Sequence, residues 1–212
     1  MRLAFVSAVL FSVVGFASAD VLWDQPYDGL SSGTVAQNFS DYPTYSSYEL
    51  DDFVVGGGGW SVSDVSIYGI DLGNPAYNTA VKVAVYAVPD ATSAPVAGPF
   101  TGTQVGADLI FSGLSATLAP GTYWISGWVD RPYSGGGQWY WNRTTSTANG
   151  SEHYFHNPGG GFGYGGAPIP GSVIFGTPSD QAFTIQGVEI PEPASLLLLG
   201  LGALIRRRCL KS

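Results

Sequence analysis

Tryptophan is the residue type in this sequence with the clearest capacity for ligand chemistry. Four tryptophans lie in a dense aromatic region: Trp124, Trp128, Trp139 and Trp141. A flat indole face can stack on the apolar face of a sugar ring, while nearby Asp and Asn side chains bind its hydroxyls. Strand alternation puts Trp124 and Trp128 on one face, and Trp139 and Trp141 also share a face. One such face must be core, so these residues predict either a glycan platform or an aromatic core.

Acidic side chains offer a second kind of chemistry. Asp51 and Asp52, together with Asp71 or Asp108, would supply carboxylate oxygens for a Ca²⁺ ion, which takes roughly six to eight oxygen ligands. No D-x-[DN]-x-[DN]-G loop is present in the sequence. Two interpretations stay open: a Ca²⁺ site that includes Asp51, Asp52 and Asp71, or acids that only solvate the surface. The sequence suggests no other cofactor.

Recognisable catalytic motifs are absent from the sequence. There is no G-x-S-x-G nucleophile elbow, and the only cysteine, Cys209, lies near the C-terminus. The order Glu152-His153-x-x-His156 is not that of H-E-x-x-H. Residues 161–166 match G-x-G-x-x-G, but flanking prolines prevent the helix that a dinucleotide site needs. A carboxylate pair for glycoside hydrolysis stays open, because it is defined only by distance in space.

Charge narrows the choice of partners. Between Asp20 and Ile190 there are three basic and fifteen acidic side chains, a net of −12, against −8 for the whole chain. Such a surface repels phosphate backbones, which argues against nucleic-acid binding.

Short strands must position these residues. Period-two alternation predicts strands around residues 21–23, 49–55, 60–70, 81–86, 109–114, 123–128, 138–141, 173–175 and 182–186. Gly- and Pro-rich clusters separate them, and residues 89–106 and 142–170 are predicted to be long loops. The pattern indicates an all-β domain, residues 20–188, folded as an antiparallel, jelly-roll-like β-sandwich.

The N-terminal residues 1–19 have the features of a cleaved signal peptide. A basic start precedes an uncharged run from Leu3 to Phe16, and Ala17-Ser18-Ala19 gives the small-x-small pattern of a signal peptidase site. The mature chain is expected to begin at Asp20.

Residues 189–212 form a tail of three parts. Pro191-Glu192-Pro193 cannot continue a strand or helix. An apolar segment, residues 194–205, is expected to form a short hydrophobic helix of about 18 Å, less than the ~30 Å hydrocarbon core. Arg206, Arg207 and Arg208 begin a basic end, residues 206–211, that would stay on the cytoplasmic side.

This ending resembles the PEP-CTERM sorting signal of Gram-negative bacteria. The resemblance implies export, transient anchoring in the inner membrane, cleavage by the membrane enzyme exosortase near Pro191, Glu192 and Pro193, and a final location at the cell surface or outside the cell. The order of elements in the domain also resembles a group of exported proteins that often carry this tail. The shared segments are Asp24-Gln25-Pro26, Asp51-Asp52-Phe53, residues 60–69, residues 121–126, Trp139-Tyr140-Trp141 and residues 183–187.

Three functions remain open at this point. The leading hypothesis is a non-catalytic envelope or biofilm-matrix protein that binds extracellular polysaccharide. The alternatives are a secreted jelly-roll glycoside hydrolase or lyase, and a purely structural surface protein.

Overall fold

Alternating apolar and polar residues build this domain from β-strands. Successive side chains of a strand point to opposite faces, so one face can be buried while the other meets water. The computed structural model describes residues 19–29, 32–145 and 151–192. Within these residues the chain forms almost entirely antiparallel sheets and a single short α-helix. The predicted all-β sandwich is therefore confirmed.

The strands are short, as the frequent Gly and Pro residues predict. The first half contains β1 Asp20–Gln25, β2 Gly33–Val35, β3 Gln37–Asn38, β4 Tyr48–Val55, β5 Trp60–Ile67, β6 Gly69–Asp71, β7 Ala80–Tyr86 and β8 Ala97–Thr101. The second half contains β9 Thr103–Val105, β10 Asp108–Phe111, β11 Ala116–Leu118, β12 Gly121–Asp130, β13 Trp139–Thr144, β14 Tyr154–His156, β15 Ile169–Pro170, α1 Ser172–Phe175, β16 Asp180–Gln181 and β17 Phe183–Glu189. Two 3₁₀ turns, Pro43–Tyr45 and Pro75–Tyr77, precede β4 and β7.

Two larger sheets form the layers of the sandwich. One has the order β1-β17-β5-β10-β9, with β11 also paired to β5, and the other has the order β15-β14-β4-β12-β7-β8, with β3 paired to β12. The strands β4, β5, β7, β10 and β12 alternate between the two sheets, as in a jelly-roll sandwich. A smaller sheet is organised around β13, which pairs with β2, β6 and β16.

Aromatic and branched aliphatic side chains from both layers fill one core. Phe53 of β4 stacks on Trp60 with ring centroids 5.9 Å apart, and it meets Phe183 of the opposite sheet at 6.4 Å. Gly127 of β12 packs directly against the Ile67 side chain, with which a Cβ at position 127 would collide. Since described residues contain no cysteine, packing must supply the stability that disulfides supply elsewhere.

The predicted strand at residues 173–175 is wrong, because these residues belong to helix α1. Two glycines decide this. Gly171 lies against the His153 ring, where a Cβ would collide, and Gly176 ends the helix with a left-handed conformation at φ +75°. Glycine commonly takes this C-terminal position because it lacks a Cβ.

Both predicted long loops contain strands. Residues 89–106 include β8 and β9, and residues 142–170 include the end of β13, β14 and β15. The register pairs Phe100 with Val83 and Phe155 with Glu49. These pairings along existing sheets override the weak local strand propensity of segments rich in Gly, Pro and Asn.

The predicted signal peptide and the predicted apolar helix, residues 194–205, lie outside the described residues. Among residues that the structure does describe, no helix is long and apolar enough to cross a membrane.

Candidate functional site

Three loops come together at one end of the sandwich because the strands that carry them are paired. The loop of residues 39–47 leads into β4, that of residues 131–138 follows β12, and that of residues 157–168 follows β14. His156 at the end of β14 pairs with Tyr48 at the start of β4. Asp130 at the end of β12 pairs with Asn38 of β3.

These loops enclose a depression that we call the aromatic cleft. Its volume of about 340 Å³ is within the range of ordinary ligand pockets. The residues that line it are Phe39, Tyr42, Tyr45, Tyr133, Gln138 and Phe162.

The aromatic rings of the cleft hold one another by their edges. Tyr42 and Tyr133 meet at 6.0 Å between centroids and an angle of 81°, and Tyr45 meets Phe162 at 5.4 Å and 87°. About half of the surface of Tyr42, Tyr45 and Tyr133 nevertheless stays exposed, at 47%, 43% and 51%. Rings that are fixed in place and still accessible are suited to stacking against a ligand.

A second depression, which we call the polar hollow, adjoins the cleft. It has a volume of about 540 Å³ and shares Tyr42, Tyr133 and Gln138 with the cleft. The residues that line only the hollow are Leu72, Gly73, Asn74, Ser134, Gly135, Gly137 and Tyr140. Gln138 accepts a hydrogen bond of 2.6 Å from the Tyr140 hydroxyl at its Oε1 atom. Amide, hydroxyl and aromatic groups thus stand side by side along one groove.

Asp41 holds the loop that carries Tyr133. Its two carboxylate oxygens accept hydrogen bonds of 2.8 Å from the backbone nitrogens of Tyr133 and Ser134. Desolvation alone would raise the pKa of Asp41, but the hydrogen bonds from Ser134 and Tyr133 outweigh it and the pKa is lowered. The ionised carboxylate is therefore the form that fixes this loop.

Arg131 also holds the loop of residues 131–138 in place. Its guanidinium is fully buried and binds the Asp71 carboxylate with both terminal nitrogens, at 2.7 and 2.9 Å. The Nε atom donates to Asn78 Oδ1 at 2.6 Å. Burial acts to raise the pKa of Asp71, but the hydrogen bonds from Arg131 dominate and lower it. Such a bidentate pair defines orientation as well as charge.

Asn157 fixes the position of Phe162. Its side-chain nitrogen donates to the carbonyl oxygens of Thr44 and Ser46 at 2.9 and 2.8 Å, and its Oδ1 atom accepts from the Phe162 nitrogen at 3.0 Å. Gly161 N also donates to Thr44 O at 2.9 Å. Two of the three loops are thus tied together by a single buried side chain.

The four predicted tryptophans are not on this surface. Trp139 and Trp141 are fully buried, and their indole nitrogens donate to the carbonyl oxygens of Ala107 and Ala182, each at 2.7 Å. Neither has a free face for a sugar ring, so a glycan platform at these two positions must be corrected to an aromatic core. Trp128 is also a core residue, with its indole nitrogen donating to Asp130.

Trp124 lies partly buried against the same core. Its indole nitrogen has no hydrogen-bond partner among the described residues. It pairs with Asp52 of β4 and Tyr86 of β7 in the middle of a sheet. The structure therefore places it far along β12 from the three loops, and it does not contribute to the cleft.

Sequence reasoning missed the residues that do line the cleft. Tyr42 and Tyr45 surround a proline-initiated turn, and Tyr133 and Phe162 lie in Gly-rich loops. Aromatic side chains inside turn sequences, outside any alternating pattern, are the signal that could have identified them. Because these residues lie in loops, they stay accessible, whereas aromatic residues on the core-facing sides of strands are buried.

The predicted Ca²⁺ ligands do not meet. Asp71 is bound to Arg131, whereas Asp51 accepts a hydrogen bond from the backbone nitrogen of Gln181, which pairs with Arg143. Asp71 pairs with Trp139. Trp139 and Arg143 are four positions apart on β13, which corresponds to roughly 13 Å. One ion therefore cannot take Asp51, Asp52 and Asp71 together.

A buried acidic cluster lies at the other end of β13. Glu49, Asp51 and Asp180 are fully buried, and Gln181 donates to both Glu49 and Asp51. Burial raises the pKa of Glu49 and Asp51 well above the usual range. Burial and then the Asp52 charge raise the pKa of Asp180 to about 7. Among the described residues, no three His, Cys, Asp or Glu side chains are arranged to hold a metal ion.

His153 belongs to this cluster in its neutral form. Burial lowers its pKa to about 4, and its Nδ1 atom lies 2.6 Å from the Ser179 carbonyl oxygen. A carbonyl oxygen only accepts, so Nδ1 carries the proton and Nε2 faces Glu49 Oε2 at 3.5 Å. Burial raises the pKa of Glu49 and lowers that of His153, so burial disfavours the charged form of both partners in this contact.

The described part of the sorting segment follows the last strand without a linker. β17 ends at Glu189, and the next residue, Ile190, donates to Gly59 O at 2.8 Å. Pro191 and Glu192 are exposed. The predicted site residues Pro193, Arg206, Arg207 and Arg208 lie outside the described residues, as does Ala17. Ala19 and Asp20, at the predicted signal cleavage site, are described and exposed.

Comparison with known proteins bears on this segment. No curated protein and no solved structure matches the chain. Residues 189–208 match the PEP-CTERM protein-sorting motif, and this motif implies an exported protein that is anchored transiently in the membrane and processed by exosortase. The chain therefore consists of an antiparallel β-sandwich followed by a PEP-CTERM protein-sorting motif.

Proposed function

We propose that the sandwich of this exported protein is a non-catalytic module that binds a neutral extracellular polysaccharide along the aromatic cleft and the polar hollow. The observation that carries the proposal is the group of half-exposed tyrosines, Tyr42, Tyr45 and Tyr133, fixed around one accessible groove. At the cell surface such a module would attach the protein to the surrounding matrix.

The chemistry of the groove fits a sugar chain. A pyranose ring has apolar C–H faces and a rim of hydroxyl groups, so it needs flat rings and uncharged hydrogen-bonding groups together. Tyr42, Tyr133 and Gln138 border both depressions. Tyrosine offers a rigid ring with a polar end, a combination that favours surfaces that are wet at the edge. The polar hollow extends the groove beyond one ring, as a polymer requires.

Charge favours a neutral polymer over an anionic one. Each of the three basic residues between Asp20 and Ile190 is already engaged. Lys82 pairs with Asp130 at 2.8 Å, Arg131 with Asp71 at 2.7 Å, and Arg143 lies 3.6 Å over the Phe175 ring. No basic side chain lines either depression. An acidic polysaccharide would therefore meet only repulsion from the acidic surface.

Binding is favoured over hydrolysis by the lining of the groove. Glycoside hydrolysis ordinarily uses two carboxyl groups that flank the scissile bond, about 5–9.5 Å apart. Neither depression is lined by Asp or Glu. Asp41, which holds the loop behind Tyr133, is occupied by two backbone nitrogens. The buried acids Glu49, Asp51 and Asp180 have no exposed surface through which a polymer could reach them.

The proposal is tested by retention of the exported protein in gels that contain a polysaccharide. A neutral glucan, mannan or galactan is compared with hyaluronate, which has a repeating carboxylate. We expect retention by at least one neutral polymer and none by hyaluronate. The substitution Tyr133→Ala should weaken binding about tenfold, which corresponds to a loss of roughly 1.4 kcal/mol of binding free energy. Calorimetry is the second measurement, because no tryptophan lines either depression and tryptophan fluorescence would not report binding directly.

Tyr27→Ala is the matched control. Tyr27 is exposed to a similar degree, at 40%, and lines neither depression. Its loss should leave retention unchanged. Equal weakening by both substitutions, or retention by hyaluronate alone, would contradict binding in the groove, and the absence of retention by any polymer would favour a purely structural surface protein.

A further inference from the structure

We infer that the sandwich keeps the aromatic cleft and the sorting tail at opposite ends, so that the cleft faces away from the membrane while the tail still anchors the protein. The anchored form would then bind polysaccharide before release as well as after it. This inference rests on the proposed function only for the identity of the ligand. The orientation itself follows from the directions of the strands.

The end that carries the tail is defined by β17 and β5. Glu189, the last residue of β17, pairs with Trp60, the first residue of β5, and Ile190 bonds to Gly59. The tight turn at residues 56–59 that joins β4 to β5 is therefore the part of the domain closest to the sorting motif. We call this the tail end.

The start of the described chain lies at the same end. Asp20, at the beginning of β1, pairs with Gly187, two residues before the end of β17. The predicted signal cleavage site at Ala19 and the sorting motif at Pro191 thus leave the sandwich side by side. Both processing segments would approach the membrane from one end of the domain.

The cleft lies at the other end of the same strands. β4 runs from Tyr48 to Val55, so Tyr45 stands just before its far end and the turn at residues 56–59 just after its near end. β12 begins at Gly121, which pairs with Val55, and ends at Asp130, three residues before Tyr133. Two strands in different parts of the sequence place their cleft residues on the side away from the tail.

Strand length gives the separation. A strand rises about 3.3 Å per residue, so the eight residues of β4 and the ten of β12 correspond to roughly 26 and 33 Å. The headgroup layer on each side of a bilayer is only several ångströms thick, given a total of about 40–45 Å over a ~30 Å core. A domain standing on its tail end therefore holds the cleft well clear of the lipid headgroups.

Charge offers no competing arrangement in which the domain lies on its side. The tail end carries the exposed acids Asp20, Glu189 and Glu192, so the inserted tail, and not charge, must hold this end at the membrane. The basic residue Lys82 lies towards the other end of β12 and is already paired with Asp130. Lipid surfaces are commonly anionic and attract basic segments. The described residues of the sandwich present no free basic patch, so an anionic lipid surface does not attract the domain in an orientation that places the cleft against the lipid.

The test measures distance to the membrane and needs no polysaccharide. The full-length protein with Cys209→Ser is inserted into vesicles of phosphatidylethanolamine and phosphatidylglycerol, and association is verified by flotation. A donor dye is attached after Ser134→Cys at the cleft, or after the matched change Ser61→Cys at the tail end. Both serines are exposed. Energy transfer to an acceptor in the lipid headgroups should be strong from position 61 and weak from position 134.

Equal transfer from both positions, stronger transfer from position 134, or failure of the protein to float with the vesicles would overturn the inference. Vesicles that carry the unlabelled Cys209→Ser protein, with Ser134 unchanged, are then tested for retention of the neutral polysaccharide. The same affinity is expected for anchored and tail-free protein. If neither form binds, the proposed function fails while the measured orientation stands. If only the tail-free form binds, the inference that the anchored protein binds polysaccharide is wrong.

Discussion

Individual side chains of this protein change role according to burial. Tyr133 and Trp141 are both large aromatic residues with one polar group. Tyr133 is half exposed in a loop and can meet a ligand, whereas Trp141 is fully buried and its indole nitrogen satisfies the Ala182 carbonyl. The same contrast separates acids. Asp41 is held ionised at the surface by two backbone nitrogens, while Asp180 is buried with neither carboxylate oxygen hydrogen-bonded among the described residues.

Asp180→Asn should stabilise the protein at pH 8 and have little effect near pH 4. The pKa of Asp180 is raised to about 7 in the folded state from an ordinary value of 3.8. Between these values the folded state holds a proton that the unfolded state has lost, so stability falls as pH rises through this window. Asparagine keeps the shape and never ionises. We expect a gain on the order of 1 kcal/mol at pH 8, measured as a shift of the urea midpoint.

Glu189→Gln provides the comparison for Asp180→Asn. It also turns an acid into an amide, but at an exposed position of β17. Its effect on the urea midpoint should be small, because the side chain is exposed. His153 acts in the opposite direction from Asp180, since its lowered pKa of about 4 adds stability as pH rises towards 6.5. For this reason the informative quantity is the difference between variant and parent protein at each pH.

Residue chemistry could be predicted from the sequence only in part. The density of tryptophan correctly indicated either a core or a binding surface, and Trp139 and Trp141 are core residues. Alternation cannot decide between these outcomes, because it defines two faces without saying which one the second sheet covers. The sequence does not identify Tyr42 and Tyr45 as site residues, because their role depends on loops that are far apart in the sequence and meet only in the folded protein.

At the scale of elements, loops supply the groove and the sheets hold the loops. Asp41→Ala should weaken polysaccharide binding roughly threefold to tenfold, because the loop of residues 131–138 loses both hydrogen bonds at Tyr133 and Ser134. Ordering that loop would then cost free energy at each binding event. Hydrogen exchange at the Tyr133 and Ser134 amides should accelerate, while global stability changes little.

Asp28→Ala is the control for the loop. Asp28 also holds a loop with its carboxylate, accepting from the backbone nitrogen and hydroxyl of Thr145, but it lines neither depression. Polysaccharide binding should be unaffected. If Asp41→Ala accelerates exchange at Tyr133 without weakening binding, order in this loop is not what the ligand uses.

Strands with regular alternation were predictable and those formed by pairing were not. Val81, Val83 and Val85 alternate clearly, and they lie in β7 as expected. The segments of β8 and β14 carry glycine, proline or isolated aromatic residues, and they become strands only because β7 and β4 offer free edges. A pattern read within one window cannot contain a partner from another part of the chain.

For the whole molecule, the junction between domain and sorting motif is part of the fold. Gly58 lies under Ile190 and Pro191, and a Cβ at this position would collide with the Ile190 carbonyl oxygen. Together with the bond from Ile190 to Gly59, this contact keeps the chain against the domain up to the start of the motif. Peptide bonds in a paired strand are poor protease substrates, since cleavage requires local opening. The exported protein should therefore end no earlier than Ile190 by mass spectrometry.

Gly58→Ala should loosen this junction. The added methyl group pushes Ile190 and Pro191 away from the turn, so an unspecific protease should cut between residues 188 and 192 faster, by about threefold or more, because local opening needs less free energy. Gly56→Ala is the matched control in the same turn, where a Cβ would meet nothing within 4 Å. Its cleavage rate should equal that of the parent protein. Similar rates for all three proteins would mean that the turn does not hold the segment, and that access to the sorting motif is governed by residues beyond Glu192.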